Sequence, residues 1–110
     1  MKTAPNIVFT FQSCADLNEI WESIAMPRDI WGSEATENLL SAENFAEQFQ
    51  RVCALLPRHP EIASNRDDLL AGVRSVLFNR YVIFYRTRGN SVEVLRVLRA
   101  TSDINSGVVA

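Results

Sequence analysis

The chain has 110 residues, which corresponds to one domain at about 100–200 residues per domain. Its composition, 47% hydrophobic and 22% charged, excludes a disordered or collagen-like chain, and no apolar run approaches the ~18 residues of a membrane span. The formal net charge of −2 hides a strong asymmetry. Residues 1–69 carry Lys2, Arg28, Arg51, Arg58 and Arg66 against eleven acids, a net of −6, whereas residues 70–110 carry Arg74, Arg80, Arg86, Arg88, Arg96 and Arg99 against Glu93 and Asp103, a net of +4.

The first 30 residues lack the basic start, long apolar stretch and small cleavage residues of a secretory signal, so a cytoplasmic protein is expected. Cys14 and Cys53 form no CxxC pair and one histidine cannot complete a zinc site with them. They are expected to be buried reduced thiols, with no metal and no cofactor implied.

Asn6 to Gln12 reads as a strand, with Ile7, Phe9 and Phe11 alternating in period two. Ser13 and Asp16 then resemble a capping box, opening a helix whose stripe is Leu17, Ile20, Trp21 and Ile24, with Asp16, Glu19 and Glu22 largely off that face, and which stops at Pro27. Arg28 to Leu40 has weak patterning: Trp31-Gly32-Ser33 signals a turn, and Glu34 to Leu40 suits a short helix or an ordered loop. A second helix begins near Ser41 and carries Phe45, Phe49, Val52, Cys53 and Leu56 on one face until Pro57. Two such helices predict an antiparallel hairpin. Residues 61–72 are polar, punctuated by Gly72. Three β-rich runs follow, Val73–Phe78, Tyr81–Thr87 and Ser91–Arg99, joined by turns at Asn79-Arg80 and Arg88-Gly89-Asn90. The tail from Ala100 to Ala110 has no helical stripe and is expected to be partly mobile.

The order is β-α-α-β-β-β: an α+β domain spanning residues 1–110, with a helical hairpin packed on one face of a small, mainly antiparallel sheet. The meander has an anomaly. Helices cover one face of such a sheet, so its strands should alternate apolar and polar. Instead Tyr81, Ile83 and Tyr85 lie on one face and Val82 and Phe84 on the other. In the last strand Val92, Val94 and Leu98 share a face with Arg96, while Leu95 and Val97 share the other with Glu93 and Arg99. A second apolar face marks an interaction site. A partner polypeptide bearing acidic groups fits it, with the arginines around the rim. Internal cover by the tail or by segment 28–40 is the alternative, as is internal pairing of the arginines with acids such as Glu19, Glu22 or Glu47.

A family resemblance rests on Leu69, Gly72-Val73-Arg74-Ser75, Arg80-Tyr81-Val82-Ile83-Phe84-Tyr85-Arg86, Val92-Glu93-Val94-Leu95-Arg96-Val97-Leu98 and Asp103-Ile104, preceded by His59-Pro60-Glu61-Ile62 and by Asp16-Leu17 with Ile20-Trp21. In these residues and their order, over most of its length, the chain resembles the RelE/ParE toxin superfamily, in its ParE branch. The stretch from Pro27 to Leu40 is longer than the family pattern. The resemblance implies the toxin of a type II toxin–antitoxin pair, a bacterial cytoplasmic protein of the kind tied to plasmid maintenance, held in a hetero-oligomer by an acidic, ParD-like antitoxin that wraps its helices and sheet. ParE-type toxins poison DNA gyrase, whereas RelE-type toxins cut mRNA on the ribosome.

RNA cleavage by 2′-OH attack needs a base, an acid and cations on the phosphate. The RelE branch supplies a basic residue just after the aromatic that opens the middle strand, and a basic cluster with a tyrosine or histidine near the C-terminus. Here Val82 follows Tyr81, and no Lys, Arg, His or Tyr follows Arg99. His59, flanked by prolines, reads as a turn residue, and Trp21 and Trp31 as packing residues. Asp67-Asp68 reads as a solvated turn or helix start, and no phosphate loop, GxSxG, HExxH or dinucleotide fingerprint occurs. The expectation is therefore a binding protein rather than an enzyme, with no catalytic residue. Its partner-contacting set is Arg74, Arg80, Tyr81, Ile83, Tyr85, Arg86, Arg96 and Arg99, its partners an antitoxin and gyrase rather than a membrane or a specific nucleic-acid sequence.

Overall fold

The computed structural model describes residues 6–25 and 34–100, with side chains over 6–24 and 41–100. The expected stop at Pro27, the Trp31 turn and the mobility of the tail after Ala100 lie outside the described residues. The elements are β1 (Asn6–Phe9), α1 (Phe11–Ala25), α2 (Glu34–Leu55), a 3-10 turn (Pro60–Ile62), β2 (Ser64–Asn65), β3 (Arg74–Phe78), β4 (Tyr81–Arg88) and β5 (Ser91–Arg99). The sheet order is β1-β5-β4-β3-β2, with β1 parallel to β5 and the other pairs antiparallel. The predicted α+β architecture is observed, with the two-residue β2 added at the far edge. Among the described residues no helix is long and apolar enough to cross a membrane.

β1 is shorter than its alternation suggests because Thr10 ends it. The Thr10 N–H donates to the Val94 carbonyl at 3.1 Å, and its hydroxyl donates to the Leu95 carbonyl at 2.9 Å. The same hydroxyl accepts the Ser13 N–H at 3.1 Å, which makes Thr10 the cap of α1. The helix thus starts earlier than the Ser13–Asp16 box implies. Phe11 is its first residue, 88% exposed, instead of an inward strand residue. Ser13 is buried, with its hydroxyl turned back onto the Thr10 carbonyl at 3.0 Å.

The α1 stripe packs as its periodicity requires, with Ile20 buried and Leu17 and Ile24 against the same core. α2 begins at Glu34, before the expected Ser41, and sets Phe45, Phe49 and Cys53 on the sheet, with Leu56 just beyond its end. One groove runs between Leu17 and Trp21 of α1 and Phe45 and Phe49 of α2, and another cleft brings Ile24 near Ser41. The two helices are therefore antiparallel. Phe45 stacks with Phe49 at 6.3 Å between centroids and meets Phe78 at 5.3 Å and Tyr81 edge-on at 5.6 Å. Each such pair adds about 0.5–1.5 kcal/mol beyond its area burial.

The sheet departs from a strict period of two at one place. The β4–β5 register passes from Phe84↔Arg96 to Tyr85↔Val94, so Leu95 is an extra residue. This β-bulge resets the alternation. Val97 joins Val92 and Val94 on the helix side, while Leu95 falls with Leu98 on the outer face. The face assignment read from uninterrupted alternation is corrected accordingly.

The outer face is partly covered by a segment that the sequence reading treats as polar loop. Leu69 and Val73 pack on Phe84 and Leu95, with Val82 and Leu98 alongside. The covering segment holds itself in place: the Asp67 carboxylate accepts the Gly72 N–H at 2.7 Å, and the Asn65 side chain accepts the Asp67 N–H at 2.8 Å. Arg66 grips Asp68 with two bonds of 3.0 Å, its guanidinium 6.0 Å from the centre of the Phe84 ring. Gly72 at φ 82° and Asn79 at φ 58° provide the left-handed backbone that the two turns need. In the cross-strand row Leu77↔Val82↔Leu98, Val82 and Leu98 are half-buried against this cluster, and Leu77 is 69% exposed among the described residues.

Candidate partner-binding site

The structure divides the eight expected partner residues into three groups. Tyr81, Ile83 and Tyr85 point to the helical layer. Ile83 and Tyr85 have no exposed surface, so they are core residues and the partner-contacting reading of them is corrected. Tyr81 is buried too, but its ring separates two clefts. A second group of side chains is engaged within the chain. Arg86 donates to Glu93 from Nε at 3.1 Å and Nη2 at 2.7 Å across the outer face. Arg74 reaches the Pro60 carbonyl at 3.4 Å.

Arg96 follows the alternative of internal pairing, with Asp16 rather than Glu19, Glu22 or Glu47 as its acid. It forks onto that carboxylate, Nε to Oδ2 at 2.7 Å and Nη2 to Oδ1 at 3.0 Å. Asp16 Oδ2 also accepts the Val97 N–H at 3.0 Å. This charged pair is mostly withdrawn from solvent, the two side chains retaining 22% and 11% exposure, and the hydrogen bond from Asp16 holds the guanidinium still more firmly in its charged form. Asp16 does not act as a cap. It fastens α1 to β5 just past the bulge, and Thr10 serves the same edge at Val94 and Leu95. The sequence reading places Asp16 off the apolar face with Glu19 and Glu22, and the structure corrects this: Asp16 is buried, one turn before Ile20 on the inward face of α1. That i, i+4 spacing is the signal the sequence carries for it.

The third group is Arg80 and Arg99. Both are exposed and have no ionic or hydrogen-bonding side-chain partner among the described residues. The Ala100 N–H donates to the Arg80 carbonyl at 2.9 Å, which brings them to one end of the sheet. Arg99 lines a cleft of about 400 Å³ together with Asp16, Glu19, Ser23, Tyr81 and Arg96. Arg80 lines a neighbouring one of about 450 Å³ with Asn44, Gln48, Phe78 and Asn79. The exposed cations thus flank Tyr81 on both sides.

The remaining candidates have local partners. His59 meets Glu61 at 2.9 Å in the turn after α2, as a turn residue would. Cys53 is buried, and desolvation pushes its thiol up to about 12. Cys14 is exposed, against the expectation for it, because α1 starts early and turns that position outward. Among the described residues no three of His, Cys, Asp and Glu are placed to hold a metal ion.

Comparison with known proteins agrees with this architecture. No protein of curated function matches the sequence significantly. Among solved structures, the chain is similar to one from the chromosomal ParDE TA system of P. aeruginosa, with 18% identity, 87% of this chain and 96% of that chain covered, and a TM-score of 0.57. It is also similar to a chain of the toxin–antitoxin complex RelBE2 from Mycobacterium tuberculosis, with 22% identity, 88% and 99% covered, and a TM-score of 0.52. These identities establish a shared fold. The family described as ParE toxin of type II toxin-antitoxin system, parDE, matches residues 7–104, almost the whole of the elements and the cleft residues described above. The chain belongs to the ParE toxin family of type II toxin–antitoxin systems.

Proposed function

We propose that this protein inhibits DNA gyrase by binding it, without chemistry of its own, and that a cognate antitoxin holds it inactive in a cytoplasmic hetero-oligomer. The observation that carries the reading is the exposed pair Arg80 and Arg99 on either side of Tyr81. Arginines free to fork onto carboxylate or phosphate suit an acidic protein surface or a nucleoprotein one. RNA cleavage would also need a base and an acid beside them. Of the carboxylates in the Arg99 cleft, Asp16 has both oxygens committed to Arg96 and Val97, which leaves Glu19. Val82, where the RelE pattern has a basic residue, contributes to the outer apolar row. On this reading the pair serves the maintenance of the replicon that encodes it, a plasmid among others.

The test is DNA supercoiling by purified gyrase with the purified chain in excess. Supercoiling is expected to fall, and to recover in the Arg80→Glu/Arg99→Glu double variant, whose two sites are exposed and away from the core. Undisturbed gyrase at saturating protein would refute the reading. Cut transcripts on translating ribosomes would replace it with a RelE-like endonuclease.

A further inference from the structure

β5 is longer than the strand beside it. β1 pairs only with Ser91–Val94, so among the described residues β5 runs on from Leu95 to Arg99 with no strand on that side. The start of α1 occupies the first part of this edge: the Thr10 N–H and hydroxyl, just before the helix, donate to the Val94 and Leu95 carbonyls, and the Asp16 carboxylate accepts the Val97 N–H. Beyond Asp16 nothing among the described residues continues the pairing. Strand residues alternate in the direction of their backbone groups. The Ala100 N–H bonds to the Arg80 carbonyl on the β4 side and the Val97 N–H points to α1, so the Arg99 N–H and the Val97 carbonyl point away from β4, along the unpaired edge. This edge forms one wall of the 400 Å³ cleft, whose other wall is Glu19 and Ser23 of α1 and whose floor includes Ile20 and Tyr81.

An unpaired edge backed by a cleft is a template for another strand. We propose that the Val97–Arg99 edge accepts an extended, acidic segment of the partner polypeptide, which continues β1 in line and adds to the sheet. Its main chain would close onto the Val97 carbonyl and the Arg99 N–H, while its alternate side chains choose the partner. One set meets Ile20 and Tyr81 and calls for an apolar residue. The other faces Leu98 on the outer side of the sheet. A carboxylate in the segment has Arg99 to pair with and Arg80 at the same end of the sheet. The self-fastening of Asp16 to Arg96 keeps that carboxylate from competing for Arg99. The proposal takes from the preceding section only the identity of the polypeptide that supplies the strand, the antitoxin.

The experiment measures amide exchange at Val97 to Arg99 in the full chain, alone and in complex with the antitoxin encoded beside it, together with the affinity of two variants. Arg99→Ala keeps the N–H and loses the charge. Arg99→Pro also removes the N–H, and proline is tolerated at an edge position whose N–H faces outward. The Arg99 amide is expected to exchange fast in the free chain and at least about tenfold more slowly in the complex, and Arg99→Pro is expected to bind about tenfold more weakly than Arg99→Ala. Binding with no protection at Arg99, or equal affinities for the two variants, would overturn the strand-addition proposal while leaving the antitoxin reading intact. Protection already present in the free chain would mean that the protein's own residues fill the slot, and would overturn it too. Failure to bind the antitoxin at all would overturn the partner reading and this proposal with it. Should the proline variant fail to fold, the exchange measurement on the unaltered chain decides alone.

Discussion

Replacement of Asp16 is the most informative single change. Its carboxylate accepts three hydrogen bonds, two from Arg96 and one from the Val97 backbone. Asp16→Ala removes both of the Arg96 bonds from a guanidinium that is only 22% exposed and leaves the Val97 N–H without that acceptor. Breaking a buried ion pair costs about 3–5 kcal/mol, and the residual exposure here lets water recover part of that, so we expect a loss of about 2–4 kcal/mol. With a urea slope of about 1.5 kcal/mol/M, a 3 kcal/mol loss moves the unfolding midpoint down by about 2 M. Asp16→Asn should cost less, because the amide oxygen can still accept from Val97. The pair should also show the asymmetry of buried charges: Asp16→Leu combined with Arg96→Met is expected to be more stable than either single change, since the two opposite charges are then removed together. A cost below about 0.5 kcal/mol for Asp16→Ala, the range of an ordinary surface change, would refute the view that this contact fastens α1 to the sheet.

Other positions give independent checks. The Tyr85 hydroxyl is buried and is the only such side-chain polar atom without a partner among the described residues, so Tyr85→Phe should stabilise the protein by about 1 kcal/mol in thermal unfolding. Of the two thiols, Cys14 should react with a disulfide reagent in the native protein and Cys53 only after unfolding. Because burial raises the Cys53 thiol from 9.0 to about 12, the unfolded chain loses that proton first as the solution turns alkaline. Its contribution to stability is complete below pH 9 and is lost as pH rises towards 12, at up to about 1.4 kcal/mol per pH unit. Cys53→Ala should flatten that slope between pH 9 and 10, whatever its cost at neutral pH. Asn79→Ala should destabilise by about 1 kcal/mol, because alanine tolerates φ 58° poorly, with Asn79→Gly close to neutral in the same unfolding assay.

The layout of the fold was legible where one rule governs each residue. The stripes of Ile20 and of Phe45, Phe49 and Cys53 mark inward helical faces, and Asn79 and Gly89 mark the turns that separate the strands. What escaped depends on contacts between distant parts of the chain. The bulge at Leu95 has no local signature, yet it moves Val97 to the opposite face and spoils a count of alternate residues. Thr10 precedes a residue that fits a strand as well as a helix, and only its bonds to β5 decide between them. Asp16 looks like a cap because an acid early in a helix usually is one; its true partner is 80 residues away. The cover over Phe84 was missed because Leu69 and Val73 stand among Asp67, Asp68 and Gly72, which read as loop. The arginine asymmetry was real in the sequence, but the sequence could not sort Arg96, committed to Asp16, from Arg80 and Arg99, which stay exposed.

The most direct measurement is a titration of labelled gyrase with the purified chain, read beside the integrity of transcripts on translating ribosomes exposed to the same preparation. Saturable binding that the Arg80→Glu/Arg99→Glu variant loses, with transcripts left whole, is the result that this account predicts. Transcripts cut by a chain that gyrase does not bind would contradict it.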